Sequence, residues 1–308
     1  MSTLTRPRIA VSVGDINGVG IEIALKAHEE ISKTVQPIYC INRALLLKAA
    51  KLLNMTIPDD FELEEVGGDI DIEPGVVSER SGEFSYHSFL KAVDLAKEKK
   101  VDAVVTLPIH KEAWSLAGIK YKGHTDMLRD IFDRDAIMML GCSKLYVALF
   151  TEHIPLQAVA SSVTLERLVT FLEDFHRAIG DQKVAVLGLN PHAGDNGVLG
   201  SEETIISEAI KTINVALGKE LFIGPLVPDI AFTPHSRAQY TYFIAMYHDQ
   251  GLAPLKALYF DESVNISLNL PIIRTSVDHG TAFDIAYQNH ANTLSYINAI
   301  NAAVGLLK

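Results

Sequence analysis

The chain has 308 residues, of which 48% are hydrophobic and 21% charged, a composition typical of a globular protein with a large core. Its formal net charge is −11, and the basic residues are scattered, which argues against a nucleic-acid-binding surface. No apolar run approaches the roughly 18 residues that would span a membrane. Cys40 and Cys142 lack metal-type or disulfide-framework spacing, so we expect a reducing, cytoplasmic location.

Short β-rich runs alternate with helical patterns, which predicts an α/β fold with a mainly parallel sheet. The run "RIAVSVGD" predicts a strand and "GVGIEIALKAHEEI" the helix after it. The amphipathic run "SYHSFLKAVDLAKEKK" predicts a helix that leads into the strand "VDAVVTLP". The helix "TLERLVTFLEDFHRAIG" has Thr164 as its expected N-cap and Gly180 at its end, before the strand "KVAVLGL".

The second half of the chain repeats this pattern. Helix "SEETIISEAIKTINVAL" follows the turn "NPHAGDNGVLG", with Ser201 as its expected cap. The run "YTYFIAMYHDQG" predicts a strand followed by a polar turn. The runs "GTAFDIAYQ" and "SYINAINAAVGLL" are the last predicted helical stretches. Since no repeat or flexible linker divides the chain, two lobes would have to be joined by several crossings.

Three histidines follow apolar runs within short polar segments: His153 in "LYVALFTEHIPL", His192 in "VAVLGLNPHAGDNG" and His248 in "YFIAMYHDQGLAPLK". In an open α/β fold, ligands collect beyond the carboxyl ends of the strands. Three imidazoles delivered there could bind a divalent metal and leave a position for substrate. The alternative is that they are polar surface or cap residues, because the chain has eleven histidines.

Two turns have the composition of ligand-binding loops. The segment "GDINGVGIE" follows a strand and opens a helix, but its glycines do not form the dinucleotide pattern G-x-G-x-x-G, so a plain tight turn remains open. In "KGHTDML", His124 and Thr125 could present an imidazole, a hydroxyl and backbone N–H groups to an anion. Thr125 or Asp126 acting only as an N-cap is the alternative.

The last hundred residues contain two cations in apolar surroundings, Lys256 and Arg274. Such side chains are rarely buried without a partner, so they predict a phosphate or carboxylate ligand or, alternatively, a structural salt bridge. Asn265 lies between them in sequence, and the polar run Asp278, His279 and Gly280 follows.

Four segments closely resemble those of the 4-hydroxythreonine-4-phosphate dehydrogenase family: "KGHTDML", "NPHAGDNG", "MYHDQGL" and "NISLNLPIIRTSVDHGTA". Their order and spacing agree from residue 12 to residue 286. The chain departs from many relatives at Ile16-Asn17, where "GDPAG" has Pro-Ala, and at His110, where Asn is frequent. These departures concern substrate identity more than the class of reaction.

The resemblance implies NAD-dependent oxidation of 4-phosphooxy-L-threonine followed by loss of CO₂, giving 3-amino-2-oxopropyl phosphate for pyridoxal phosphate synthesis. It also implies one divalent metal ion (Zn²⁺, Co²⁺ or Mg²⁺) that polarises a substrate oxygen. The metal ligands map to His153, His192 and His248. Substrate contacts map to His124, Thr125, Lys256, Asn265 and Arg274.

Asp249, beside a metal ligand, is expected to orient that ligand or relay a proton, and Lys256 is the other catalytic candidate. The segment "DHGTAFDIA" is similar to the cofactor segment "HGSAPDI" of isocitrate and isopropylmalate dehydrogenases, which places NAD at Asp278, His279 and Gly280. Members of the family are homodimers with the site at the subunit interface. The fold implied is two interleaved α/β lobes with the active site in the cleft between them. Within one family unit over residues 1–308, we expect lobes of residues 1–125 plus 265–308 and of residues 126–264.

Three other functions remain open from the sequence alone. A dehydrogenase of the same family could act on D-threonate or D-erythronate 4-phosphate, or on a dihydrodiol carboxylate. A three-histidine metal hydrolase would need no nicotinamide and would leave "DHGTAFDIA" unexplained. A non-catalytic binder of phosphorylated ligands would have little need for three histidines.

Overall fold

The structure is a computed structural model that describes residues 6–68 and 70–307, and in them the predicted alternation of strands and helices is confirmed. The strands are β1 (Arg8–Ser12), β2 (Gln36–Cys40), β3 (Glu62–Glu64), β4 (Ala103–Thr106), β5 (Ile137–Cys142), β6 (Leu145–Leu149), β7 (Val184–Leu187), β8 (Phe222–Leu226), β9 (Tyr242–Ala245), β10 (Val264–Leu268) and β11 (Arg274–Val277). The helices are α1 (Gly20–Ile31), α2 (Arg43–Leu53), α3 (Glu79–Lys97), α4 (Lys111–Leu116), α5 (His124–Phe132), α6 (Val159–Ser162), α7 (Leu165–Ile179), α8 (Glu202–Leu217), α9 (Pro234–Arg237), α10 (His248–Tyr259) and α11 (Leu294–Leu306).

The chain divides into two compact units. The first contains the described residues up to Arg134, Val264–Ile266 and those from Leu270 onward. The second contains Asp135–Ser263 and Ser267–Asn269, so the residues of β10 are divided between the two. The division expected from sequence places its first boundary after residue 125, inside α5, whereas this division keeps α5 whole.

In the first unit, the strands have the order β3-β2-β1-β4-β11 and every neighbouring pair is parallel. Strand β4 is buried along its whole length, as expected when helices cover both faces of a parallel sheet. One core cluster includes Ala10, Ile38, Val104 and Leu95 of α3. A fully buried aliphatic side chain contributes about 1.5–3 kcal/mol, so this cluster holds α3 firmly against the sheet.

In the second unit, the order is β5-β6-β9-β7-β8. Strands β5 and β6 are antiparallel, while β6, β9, β7 and β8 run parallel to one another. The core contains side chains from four of these strands and from α10, among them Val147, Ala185, Phe243 and Leu252. The carboxyl ends of β6, β9 and β7 therefore lie side by side at one edge.

Two helix ends follow the sequence prediction and two differ from it. Thr164 caps α7 by accepting a hydrogen bond from the backbone N–H of Arg167, and Gly180 ends the helix with a φ of 72°. Ser201 precedes α8 but makes no side-chain cap. Helix α5 begins at His124 after Gly123, so neither Thr125 nor Asp126 is its N-cap.

Two predicted local structures were wrong. The segment after β9 is not a polar turn, because α10 begins at His248 itself. The run "GTAFDIAYQ" forms only the short 3₁₀ turn Phe283–Ile285, since Ala282 and Tyr287 have left-handed φ angles of 43° and 60° that interrupt a right-handed helix. No helix in the described part of the chain is long and apolar enough to cross a membrane.

Candidate active site

The first unit buries a guanidinium beside an imidazole. Arg274 begins β11 and is 2% exposed, and its Nη2 donates a hydrogen bond of 2.6 Å to Oγ1 of Thr106. Burial lowers the pKa of Arg274 to about 9. Burial, together with the nearby charge of Arg274, lowers the pKa of His124 well below its usual value. The pair therefore combines a cation with a neutral imidazole at neutral pH.

Aromatic rings hold His124 in place. Its ring meets Phe89 edge to face at 4.5 Å and Trp114 at 5.8 Å between centroids. Within the described residues, the buried Nε2 of His124 has no hydrogen-bond partner. The same holds for the buried Oδ1 of Asn265. Buried polar atoms are normally paired, so these two atoms are suited to hydrogen bonds with a ligand.

Thr125 is buried in the first turn of α5, and His124 is half-buried at the start of that helix. The N-cap position is Gly123, which has no side chain to cap the helix. The first N–H groups of a helix lack partners within it and attract anions. The "GHT" segment thus brings together an imidazole, a hydroxyl and the first backbone N–H groups of a helix, which are the groups that the sequence analysis considered for an anion site.

Three loops leave the carboxyl ends of β1, β4 and β11, which are neighbouring strands of the first unit. Backbone hydrogen bonds join them: Asp15 N–H donates to the carbonyl of Pro108 at 2.8 Å, and Val19 N–H to that of Thr281 at 3.0 Å. The rings of His110 and Phe283 stack at 4.8 Å with an interplanar angle of 17°. The expected cofactor residues lie on the third of these loops.

The three expected cofactor residues, Asp278, His279 and Gly280, differ in their surroundings. Asp278 is half-buried, and its backbone N–H donates to Oγ of Ser295 at 3.2 Å. His279 has Nδ1 2.9 Å from the carbonyl of Gly280, while its buried Nε2 has no partner within the described residues. Gly280 is exposed, and an added Cβ there would meet no atom within 4 Å. His279 Nε2 is therefore the side-chain atom of this run that is best placed for a ligand.

Asn17, at a departure from the family pattern, is an anchor for the first of these loops. Its Nδ2 donates to the carbonyl of Val76 at 2.8 Å, and its Oδ1 accepts from the backbone N–H of Glu73 at 2.9 Å. Ile16 beside it is fully buried. The Ile16-Asn17 pair thus replaces the rigidity of a proline with side-chain hydrogen bonds and core packing.

Asp15 is a polar residue of this loop whose position the sequence analysis did not assign. It is fully buried, and its carboxylate accepts hydrogen bonds from Asn17 N–H at 3.0 Å and Ser81 Oγ at 3.2 Å. Burial raises the pKa of Asp15, and the hydrogen bonds oppose this effect. Its place directly after a buried strand, in "VGD", is the sequence signal that could have identified it.

The second unit gathers the three histidine segments at one edge. His153 follows β6, His192 follows β7 and His248 follows β9, and the order β6-β9-β7 makes these strands parallel neighbours. His153 and His192 are exposed and His248 is half-buried. The arrangement at three strand ends is therefore the one predicted from sequence.

Two of these rings approach each other, and a carboxylate orients one of them. The ring centroids of His153 and His248 lie 5.6 Å apart. Nδ1 of His248 lies 2.7 Å from Oδ1 of Asp249. Because an ionised carboxylate can only accept, this contact favours the tautomer in which Nδ1 donates to Asp249, which leaves Nε2 of a neutral His248 as an acceptor. This is the hydrogen bond expected of a residue that orients a metal ligand.

The loop that carries His192 has an unusual backbone. Six successive residues, His192 to Gly197, have positive φ, including His192 at 54°, Asp195 at 42° and Asn196 at 55°. The left-handed conformation costs about 1–2 kcal/mol for each residue other than glycine. Strain of this kind persists only where the surrounding structure enforces it, and such places are often functional.

Lys256 lies in the C-terminal half of α10, half-buried, with Nζ 5.6 Å from the ring centroid of Phe260. It is two helical turns from His248 on the same helix. Its ammonium therefore belongs to the same unit as the three histidines, while Arg274 belongs to the other.

The side chains can be tested against a divalent metal. Among the described residues, no three His, Cys, Asp or Glu side chains of one chain lie close enough together to hold an ion. The donor chemistry nevertheless suits one, because His153 and His248 are neighbouring imidazoles and Asp249 fixes the tautomer of the second. The pair therefore has the donor chemistry of two ligands of a divalent ion.

A mainly parallel α/β sheet with histidines at its strand ends and a buried arginine is the architecture of an α/β enzyme. Residues 33–303 match the family model described as pyridoxal phosphate biosynthetic protein PdxA, and the chain belongs to that family.

Relatives and solved structures agree over almost the whole chain. The 4-hydroxythreonine-4-phosphate dehydrogenase of Sulfurimonas denitrificans is 66% identical over 303 residues, covering 98% of this chain and 99% of the relative. A crystal structure of 4-hydroxythreonine-4-phosphate dehydrogenase from Klebsiella pneumoniae is 34% identical with a TM-score of 0.85 and covers 99% of both chains. Terephthalate 1,2-cis-dihydrodioldehydrogenase from Burkholderia xenovorans LB400, at 23% identity, 97% coverage of both chains and a TM-score of 0.70, is similar in fold alone.

Proposed function

We propose that this chain is a 4-hydroxythreonine-4-phosphate dehydrogenase of pyridoxal phosphate biosynthesis. It oxidises the hydroxyl-bearing carbon of 4-phosphooxy-L-threonine and releases CO₂ to give 3-amino-2-oxopropyl phosphate. The observation that carries this proposal is 66% identity, over 98% of the chain, to a relative of that name. The names of the relatives favour a dehydrogenase over the three-histidine hydrolase.

The oxidised carbon has to lose a hydride, for which we propose NAD as the acceptor. The loops after β1, β4 and β11 support this proposal, because they form the carboxyl edge where an α/β sheet binds its cofactor. His279 offers an unpaired Nε2 there among the described residues. When bound, NAD supplies the redox chemistry, while the protein supplies position and charge.

We propose His153, His192 and His248 as ligands of one divalent metal ion, with Asp249 holding His248 in the required tautomer. A bound ion would stabilise negative charge on the substrate oxygen during oxidation and decarboxylation. Among divalent ions, Zn²⁺ and Co²⁺ suit imidazole best. The exposed Asp249 carboxylate can also take up a proton from the reaction.

Cationic and neutral side chains divide the recognition of substrate. The buried guanidinium of Arg274 is suited to a bidentate grip on a phosphate or carboxylate, and burial strengthens that bond. His124, held neutral, accepts or donates one hydrogen bond through Nε2, and Asn265 accepts another through Oδ1. Thr125 adds a hydroxyl, and Lys256 adds a second positive charge for an anionic group.

We further propose a homodimer in the cytoplasm, with a second copy completing each active site. Within the described residues of one chain, no three His, Cys, Asp or Glu side chains lie close enough together to hold an ion, which supports a metal whose ligands come from two copies. Exposed apolar side chains follow two of the histidines in sequence, Leu156 at 69% and Val198 at 77%, which supports a partner surface there. Buried free thiols at Cys40 and Cys142 support a reducing compartment.

One set of assays tests the whole proposal. The purified chain is treated with a chelator, and NADH formation from 4-phosphooxy-L-threonine and NAD is followed before and after addition of Zn²⁺, Co²⁺ or Mg²⁺. We expect activity only after metal is restored. NADH formation with D-threonate or D-erythronate 4-phosphate alone would transfer the assignment to the alternative substrates, and hydrolysis without NADH would refute the dehydrogenase.

A further inference from the structure

Two side chains without an assigned role make hydrogen bonds to the backbone just before the loop that carries His192. Nε2 of Gln250 donates to the carbonyl of Gly188 at 2.7 Å. Oε1 of Glu203 accepts from the backbone N–H groups of Leu189 at 2.9 Å and Asn190 at 2.7 Å. The backbone of the three residues directly after β7, Gly188 to Asn190, is therefore held by side chains of two helices, α8 and α10.

The other end of Gln250 is bonded to the segment that carries His248. Its Oε1 accepts a 2.7 Å hydrogen bond from the backbone N–H of Met246, which lies between β9 and α10. The carbonyl of Met246 in turn accepts from Oγ1 of Thr151 at 2.6 Å, two residues before His153. One amide and one hydroxyl therefore join the three strand ends that carry the histidines.

Glu203 acts on the strained part of the loop as well. The residue is 7% exposed, and its Oε2 accepts from Nδ2 of Asn190 at 2.9 Å. A Cβ at Gly194 would lie 2.5 Å from this Oε2, so the left-handed turn packs directly on the carboxylate. A charged acceptor of three hydrogen bonds is a strong local constraint.

We propose that Gln250 and Glu203 are positioning residues that fix the backbone of the loop that carries His192. This inference rests on the proposed function, because it concerns the proposed metal ligands. The two side chains contact backbone and Asn190 rather than the reacting groups, and they compensate for the strain of the six successive positive φ angles. Loss of either grip releases the His192 loop from its fixed position beside the end of β9.

The variants Gln250→Met and Glu203→Gln test this inference. Each keeps the size of the side chain and removes the donor or the charge. We expect each to weaken binding of Co²⁺ to the metal-free protein by about 10- to 100-fold, as loss of residues that orient metal ligands does, and to alter the visible Co²⁺ spectrum. Gln182→Met and Glu208→Gln, exposed in the same unit, are the matched controls and should bind Co²⁺ like the wild type.

Amide hydrogen exchange without metal provides a second measurement. Exchange at Leu189 and Asn190 should accelerate in Glu203→Gln while the strands of the second unit stay protected. Variants with wild-type Co²⁺ affinity and spectrum would overturn the inference and leave the proposed function intact. If the wild-type chain itself binds no Co²⁺ or Zn²⁺, the metal part of the proposed function fails, and this inference fails with it.

Discussion

Arg274 and Thr106 join neighbouring strands of the first unit through a 2.6 Å hydrogen bond between Nη2 of Arg274 and Oγ1 of Thr106. In the register of β11 and β4, Arg274 is level with Val104, so its side chain reaches two residues along the sheet. Thr106 is the last residue of β4. The guanidinium is thereby delivered towards the carboxyl edge, although Arg274 itself opens its strand.

Replacement of Arg274 by Lys should reduce kcat/KM for the phosphorylated substrate by about 10- to 100-fold, because a point charge cannot reproduce the planar bidentate grip. The measurement is steady-state kinetics with metal and NAD in excess. Arg177→Lys, at an exposed residue of the second unit, is the control and should behave like the wild type. An unchanged KM and kcat for Arg274→Lys would remove this arginine from the substrate site.

Replacement of His248 by Ala should abolish tight metal binding and lower activity at least about 100-fold, because a proposed ligand and its hydrogen bond to Asp249 are lost together. Metal content after dialysis and far-ultraviolet circular dichroism should show a folded, metal-poor protein. His235→Ala, an exposed histidine in the same unit, is the control. Wild-type metal content in His248→Ala would refute its assignment as a ligand.

Replacement of Asn17 by Ala should lower the free energy of unfolding by about 1–3 kcal/mol, since two hydrogen bonds from the buried Asn17 side chain to the backbone of Glu73 and Val76 are lost. We also expect a higher KM for NAD, because the loop after β1 lies at the proposed cofactor edge. Denaturant unfolding and kinetics measure the two effects. Asn301→Ala, on an exposed position of α11, should change neither quantity.

The lowered pKa of His124 predicts an acid-sensitive stability. The unfolded chain takes up a proton near pH 6.5, where folded His124 stays neutral, so the free energy of unfolding falls as pH drops below about 6.5. In His124→Gln, the slope of the free energy of unfolding against pH should be smaller by up to about 1.4 kcal/mol per pH unit. Urea unfolding at a series of pH values measures the slope, with the exposed His290→Gln as control. Equal slopes for wild type and His124→Gln would contradict the prediction.

The strand ends were predictable because buried parallel strands appear as short apolar runs followed by polar residues. That pattern placed His153, His192 and His248 at neighbouring strand ends. It did not reveal that α10 begins at His248, because Gly251 and Pro254 within this segment are typical of turns. Packing of Leu252 and Leu255 against the sheet outweighs that local preference.

The positioning contacts could not be predicted from the sequence. Gln250 joins Met246, four residues away, to Gly188, 62 residues away, and only the order of strands makes the second contact. The left-handed run that begins at His192 could not be predicted either, because three of its six residues are neither Gly nor Asn. Such contacts arise from tertiary structure, whereas strand and helix patterns arise from local periodicity.

The division of the chain between its two units has a consequence for synthesis on the ribosome. Residues 135–263 form one continuous stretch of the second unit, but the first unit also needs β11 and α11, which are joined by the hydrogen bond from Thr275 to the carbonyl of Ala299. Chains emerge N-terminal end first at about 5–20 residues per second. The unit that begins first is therefore completed last, only after the whole continuous stretch of the second unit has been synthesised.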